Sequence, residues 1–173
     1  CQALADFMTI KEEFGSFENV TLTFIGDGNN VANSLILCGA LLGAKIRIAC
    51  PKGYEPNNSV IKKAKELNPS PGWLLITDNV SEAVKDANVL YTDVWSSMGQ
   101  EDTKQSKDKV FEEYSIRNKL LNISNPNAII MHCLPAYRDK EITDEIIDCK
   151  QSRIFDQAEN RMHVQQALLS YIV

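Results

Sequence analysis

Residues 20–50 read VTLTFIGDGNNVANSLILCGALLGAKIRIAC, and three pieces follow one another there without a break. Residues 20–26 alternate apolar side chains with Thr and then run apolar, rich in β-branched residues, which marks a strand. Residues 30–42 are almost wholly apolar past their first turn. Val31, Leu35, Cys38 and Leu42 keep helical spacing, so this piece is a buried helix stopped by Gly43. Residues 45–50 alternate again and end at Pro51. Strand, helix and strand in succession imply a right-handed crossover and a parallel sheet covered on both faces.

The rhythm continues outward. Residues 59–67 form an amphipathic helix with Val60, Ala64 and Leu67 inward, and 73–77 a short strand. Asn79 caps the helix SEAVKDA (81–87), with Glu82 completing a capping-box-like pair. A strand at 89–94 precedes a long polar stretch, SSMGQEDTKQSKDK (96–109). The spacing then predicts a helix over 111–121, a strand over 128–132, a helix over 142–149, a last short strand over 153–155 and a helix from Glu159 to the end. Repeats and low-complexity tracts are absent. The expectation is a single domain, 1–173, of the α/β class: a three-layer, Rossmann-like, doubly wound parallel sheet.

Bulk composition narrows the function classes. The 173 residues are 44% hydrophobic and 24% charged, which suits a folded domain with its own core. A net charge of −5 gives no electrostatic footprint for nucleic acid or an anionic membrane. No apolar run reaches the ~18 residues of a membrane span. The start, CQALADFMTIKEEF, has no basic region and so does not read as a signal peptide. Five cysteines, odd in number and widely spaced, argue against a disulfide framework or a zinc ribbon and for a reducing, cytoplasmic setting. A chain beginning at Cys1 without Met raises the expectation that a segment precedes it.

In open α/β sheets ligands sit beyond the carboxyl ends of the strands. Those ends carry Asp27, Gly28, Asn29 and Asn30, then Lys52, then Asp93, then His132, Cys133 and Leu134, then Asp156. GDGNN (26–30) fits the start of a dinucleotide fingerprint, but the third glycine position is Val31. The second strand closes Ala49-Cys50-Pro51-Lys52, without the carboxylate that grips a ribose. A nicotinamide cofactor is therefore not expected. Glycines here also suit a plain strand-to-helix turn, while Asn30 offers a donor and an acceptor to a small polar ligand. Asp93 reads either as a cap or surface carboxylate, or, with the Gly-hinged loop behind it, as a ligand group under a lid. The later charges of that loop, Glu101 to Lys109, balance in sign and suit a solvated face. Cys133 alone suits a small buried hydrophobe. His132 and Cys133 are adjacent in a strand and point to opposite faces, so a metal is not expected, and no other cofactor is expected either. Arg161 lies near a helix start, where the dipole disfavours a cation, and is better explained by an anionic or carbonyl-bearing ligand.

GDGNN (26–30), DVWSSMGQE (93–101), MHCLP (131–135) and FDQAENR (155–161) occur in this order, and together they resemble the ornithine-binding half of the ornithine carbamoyltransferase family. The opening CQALAD resembles the tail of that family's His-Pro-Cys-Gln motif. The resemblance runs the full length, and the SMG segment (97–99), which aspartate-specific relatives lack, points to ornithine. It implies that Asn30, Asp93, Ser97 and Met98 hold the α-amino and α-carboxylate groups of ornithine. Cys133 and the Leu134 carbonyl would lie near the δ-amine and the carbamoyl group. Gln2 and Arg161 would contact the carbamoyl part of carbamoyl phosphate. Cys133, Asp93 and Arg161 are the implied catalytic groups, with a Cys133–Asp93 pair favouring or relaying the amine's proton. Two departures stand out: Gln157 where members often have Glu, and Ala136-Tyr137 after HCLP where Arg is common. The family's Ser-Thr-Arg-Thr-Arg phosphate loop is nowhere in the chain. The resemblance thus implies a carbamoyl-phosphate domain upstream, with Cys1 the third residue of a cut motif. The helix from about 159 would pack on that domain, leaving Val164, Leu168 and Tyr171 as an uncovered stripe, and the full-length protein would be a homotrimer. Alternatives are a carbamoyltransferase for putrescine or an acylated ornithine, and a stand-alone amino-acid-binding module.

Overall fold

The computed structural model describes residues 1–95 and 104–173, and the side chains from 107 onward in the second stretch. Five strands form one sheet: β1 (Thr21–Ile25), β2 (Lys45–Ala49), β3 (Leu74–Thr77), β4 (Val89–Thr92) and β5 (Ile129–His132). Their order is β3-β2-β1-β4-β5, and every pairing is parallel. The helices are α1 (Gln2–Phe14), α2 (Asn30–Leu42), α3 (Asn58–Leu67), α4 (Val80–Val84), α5 (Lys104–Phe111), α6 (Asn118–Leu121), α7 (Asp144–Ile147) and α8 (Ile154–Ile172).

Both sheet faces are covered, which parallel strands require. On one face Leu22, Phe24, Ile46, Ile48, Tyr91 and Met131 pack on Phe7 and Ile10 of α1, Leu35 and Ile36 of α2, and Ala64 of α3. On the other, Ile25, Leu90 and Ile130 pack on Ala83 and Val84 of α4, Leu120 of α6, Ile146 of α7 and Ile154 of α8. The doubly wound α/β class read from residues 20–50 is the one observed. The helix that decides it begins with the Asn29 side chain accepting from the Val31 and Ala32 amides and ends at Gly43, whose φ of 74° closes it. At α4, Asn79 caps the Glu82 amide as its spacing predicts, but the Glu82 carboxylate bonds the Thr77 hydroxyl rather than returning to Asn79.

Three expectations are corrected. Residues 153–155 form no strand. Ser152 alone bridges Ile130, after which Ile154 opens α8, earlier than the expected start at Glu159. Alternation misleads there because Ile154 is buried while Phe155 is 65% exposed, a contrast that a helix surface produces equally well. Residues 111–121 are not one helix either. Phe111 ends α5, a 3-10 turn covers Glu112–Tyr114, and Ser115 is extended. Ile116 then lies beside Ile142 in a short bridge, its N–H donating to the Glu141 carbonyl at 2.8 Å, before the brief α6. Burying Ile116 in that register breaks the 3.6-residue period. The helix expected over 142–149 shortens to α7. Conversely α1, unremarked in the sequence, is a full helix whose face of Ala3, Ala5, Asp6, Phe7, Thr9 and Ile10 is buried. On α8, Val164 and Leu168 are half-buried and Tyr171 is 90% exposed.

Candidate active site

The strand order reverses between β1 and β4, and this is where an open parallel sheet parts its loops to receive a ligand. A cleft of ≈ 570 Å³ opens there, against the first turn of α1 and the second turn of α8. Six residues expected at a site line it: Gln2, Asn30, Asp93, Cys133, Leu134 and Arg161. Ser97 and Met98 lie outside the described residues. Lys52 and Asp156 stay away from the cleft: Lys52 pairs with Asp78 at 3.2 Å, and Asp156 is exposed on the first turn of α8.

Asp93, 9% exposed, leaves the end of β4. Its Oδ1 accepts the Val94 amide at 2.8 Å and its Oδ2 accepts the Asn29 side-chain amide at 2.7 Å. Asn29 therefore does two things: its oxygen caps α2 and its nitrogen holds the carboxylate. The sequence reading passed over it for Asn30, although an Asn one residue before an apolar helix is an N-cap signal. Gly28 is explained by packing rather than by a phosphate. Its N–H donates to the Tyr54 carbonyl at 2.8 Å, and a Cβ would stand 2.3 Å from the Pro56 nitrogen. The GDGNN turn is thus pressed against the loop after β2.

The segment after β5 is held by buried polar groups. His132 Nδ1 accepts the Leu134 N–H at 2.9 Å, so that nitrogen presents a lone pair and the ring's proton sits on Nε2, facing Glu141 at 3.3 Å. Glu141, 1% exposed, also accepts the Tyr137 amide. Leu134 takes a φ of 56° and is followed by a cis bond to Pro135. The two faces separate as alternation predicts, His132 toward Glu141 and Cys133 toward the cleft. Burial pushes the Cys133 thiol well above its ordinary pKa, and the Asp93 carboxylate raises it further by charge and hydrogen bonding. The sulfur is therefore a thiol near neutral pH, able to donate or accept a hydrogen bond but not a standing nucleophile.

Behind the cleft lies a group that the sequence reading missed. Asp6 of α1 is fully buried. It accepts Gln2 Nε2 at 2.8 Å, Gln157 Nε2 at 2.7 Å and the Tyr91 hydroxyl at 3.0 Å. Gln157 Oε1 in turn accepts the His132 amide at 2.9 Å. Gln157, one of the two departures from the family pattern, is thus a buried link between α8, β5 and α1. On the cleft side Arg161 donates to Gln2 Oε1 at 2.6 Å. Burial lifts the Asp6 pKa from 3.8 to about 6, against the lowering effect of its donors and of Arg161.

A second anchor holds the chain at Trp95, the last described residue before the SMG segment. Lys107 on α5 bonds Asp27 at 2.9 Å and the Trp95 carbonyl at 3.1 Å, and lies 5.4 Å from the centre of the Tyr54 ring. Trp95 stacks on Phe111 at 5.8 Å.

The family profile described as aspartate/ornithine carbamoyltransferase, Asp/Orn binding domain, matches residues 18–172. A curated protein of Prochlorococcus marinus subsp. pastoris, named ornithine carbamoyltransferase, is 66% identical over 173 residues, covering 100% of this chain and 56% of its own length. One of the same name from Prochlorococcus marinus strain MIT 9312 is 65% identical over 98% of this chain and 55% of its own. The solved ornithine carbamoyltransferase of Pyrococcus furiosus superposes with a TM-score of 0.93 at 47% identity, over 98% of this chain and 55% of that one. The chain therefore spans a little over half the length of the relatives it matches.

Proposed function

The chain belongs to the aspartate/ornithine carbamoyltransferase family, and from that premise we propose that it is the amino-acid-binding half of an ornithine carbamoyltransferase. The enzyme moves the carbamoyl group of carbamoyl phosphate to the δ-amine of L-ornithine, giving citrulline and phosphate. One observation carries this reading: Gln2, Asn30, Asp93, Cys133, Leu134 and Arg161, far apart in sequence, line one cleft at the sheet's switch point.

Each group has a task its chemistry allows. Asp93 meets the α-ammonium as a fixed acceptor, and the Asn30 amide, with Ser97 and Met98, meets the α-carboxylate. Arg161 polarises the carbamoyl oxygen, where negative charge develops as the amine adds. Gln2 and the Leu134 carbonyl accept from the carbamoyl nitrogen. An alkylamine with a pKa of ~10.4 is mostly protonated at neutral pH and must lose a proton before it attacks. In this reading Asp93 and the Cys133 thiol take or relay it, and their shared place in the cleft lining supports that role. The N–C bond then forms, the C–O bond to phosphate breaks, and the departing phosphate carries a proton away.

Three finer points belong to the same reading. The phosphate is held by groups outside these residues, the full-length enzyme is a homotrimer, and it works in the cytoplasm, for which the five free thiols are the supporting sign. Among the described residues no helix is long and apolar enough to cross a membrane. The test is calorimetry on the complete polypeptide, pre-loaded with carbamoyl phosphate and titrated with ornithine, putrescine and aspartate. Ornithine is expected to bind at least about 10-fold tighter than either, the ~1.4 kcal/mol that one well-placed charge contact supplies. A preference for putrescine overturns the assignment.

A further inference from the structure

Gln2 is caught between two groups that allow its amide only one orientation. Toward the core it meets Asp6, whose ionised carboxylate can only accept. Toward the cleft it meets Arg161, whose guanidinium can only donate. Its nitrogen must therefore face Asp6 and its oxygen Arg161, and the usual ambiguity between amide N and O is removed by the partners themselves. Asp6 is in turn fixed by the Gln157 amide and the Tyr91 hydroxyl, all of them buried. The Gln157 amide also bonds the Tyr91 oxygen at 3.1 Å, so the three side chains brace one another.

We propose that Asp6 is a positioning residue that sets the polarity of Gln2, obliging it to present an acceptor to the cleft and thereby selecting the –NH₂ end of a carbamoyl group over an acyl group that lacks donors. This rests on the carbamoyltransferase reading for the identity of the ligand. With the amide locked, Gln2 Oε1 and the Arg161 guanidinium form an acceptor–donor pair, the complement of a carbamoyl group's N–H and C=O. A flipped amide would set N–H against N–H⁺ and would offer the ligand a second donor in place of the acceptor. An acetyl donor presents a methyl where the carbamoyl presents N–H, and would leave the Gln2 oxygen unpaired, a cost of the kind that lets polar sites reject analogues strongly. Gln157 matters for the same reason. As an amide it can only donate to Asp6 through nitrogen, whereas a carboxyl there would need a proton shared with Asp6.

The test is a set of variants in the complete polypeptide, assayed for citrulline with carbamoyl phosphate as the varied substrate. Asp6→Leu removes the acceptor and is expected to lower kcat/KM by about 10-fold or more, the worth of one buried orienting contact. Asp6→Asn keeps an acceptor and is expected to stay within about threefold of the parent. In a Gln2→Ala background Asp6→Leu is expected to change kcat/KM by less than about twofold, because Asp6 then has nothing to orient. An equal loss in both backgrounds means that Asp6 only ties helices together, and overturns the proposal. So does an Asp6→Asn variant as poor as Asp6→Leu. Should Asp6→Leu fail to fold, the parent itself decides: with glutamine ¹⁵N labelling, the two Gln2 side-chain protons must be distinct, and the one facing Asp6 must exchange with solvent at least about 10-fold more slowly than those of an exposed glutamine such as Gln166. Rapid exchange of both overturns the lock. That measurement needs no turnover, so a parent that makes no citrulline counts against the proposed function alone.

Discussion

At the scale of single residues, two carboxylates carry opposite burdens. Asp93 sits at the cleft with its oxygens held by Asn29 and the Val94 amide, so in the role proposed for it little ordering would remain to be done when an ammonium binds. Replacing it with Asn keeps the shape and removes the charge. kcat/KM for ornithine is expected to fall about 10- to 100-fold, the ~1.5–3 kcal/mol of a hydrogen bond to a charged group, with KM for carbamoyl phosphate little changed. Asp6 is costly to the fold for the reason that makes it useful. Its pKa of about 6 stands above its ordinary 3.8, so between about pH 4 and pH 6 the folded chain keeps a proton that the unfolded chain has released. Stability contributed by this group therefore falls as pH rises through that window and levels off above it, by about 3 kcal/mol in all. The titratable groups Tyr91, Cys38 and Cys133, which interact with Asp6, do not blur the window, because all three are pushed upward, away from it. Urea unfolding of parent and Asp6→Asn from pH 4 to 7 should show the difference between them drift by that amount. A parallel pair of curves would contradict it.

At the scale of elements, α1 and α8 behave as one piece. Beyond the Asp6–Gln157 contact, Asn160 donates to Thr9 at 3.0 Å and to Glu12 at 2.6 Å, and Arg153 bonds both Glu13 oxygens. The Arg153–Glu13 pair is partly solvated and contributes at most about 1 kcal/mol. The buried Asn160 contacts cost more to lose, roughly 1–3 kcal/mol when Asn160→Ala leaves Thr9 and Glu12 without their donor. Amide hydrogen exchange should show the middle of α1 and the first half of α8 opening with one free energy, and Asn160→Ala should speed both equally. Exchange of α8 alone would separate them. This pairing is also where the sequence was least legible. The residues 20–50 unit could be read because its periods are clean and Gly43 marks the end of its helix. Helix α1 carries Asp6 and Thr9 on its buried face, and a polar residue inside a helical stripe hides the stripe until its partners, 151 residues away, are known. Likewise Ile154-Phe155 looks like strand, and only the single bridge at Ser152 shows that the sheet ends there. Of the cleft lining, Asn30, Asp93, Cys133 and Arg161 were legible through motifs at strand and helix ends. Asp6 and Gln157, which brace Gln2 and the end of β5 from behind, were not, because support of this kind has no local pattern; Asn29 carries a local N-cap signal, but nothing local pairs its nitrogen with Asp93.

At the scale of the whole molecule, the arginines bear on the proposed division of labour. Arg47 is engaged by the Ala83 and Lys85 carbonyls, Arg138 by Asp144 and Asp148, and Arg153 by Glu13. Arg161 is the one arginine of the sequence that lines the cleft. A doubly charged phosphate needs a helix N-terminus with several cations or amides converging on it. Purified residues 1–173 are accordingly expected to fold, to bind ornithine weakly at best, and to form citrulline at less than about a thousandth of the complete enzyme's rate, as effective-molarity losses of this kind allow. Radiolabelled carbamoyl transfer checks this, and turnover near the full rate would mean that the division of labour is wrong.

Lys107 gives the molecule one more property. Because a single ammonium ties Asp27 and the Trp95 carbonyl to α5, the turn after β1, the chain beyond β4 and the first turns of α5 are clasped at one charge. The clasp works as a keystone: three segments far apart in sequence bear on it, and none of them can shift without the others.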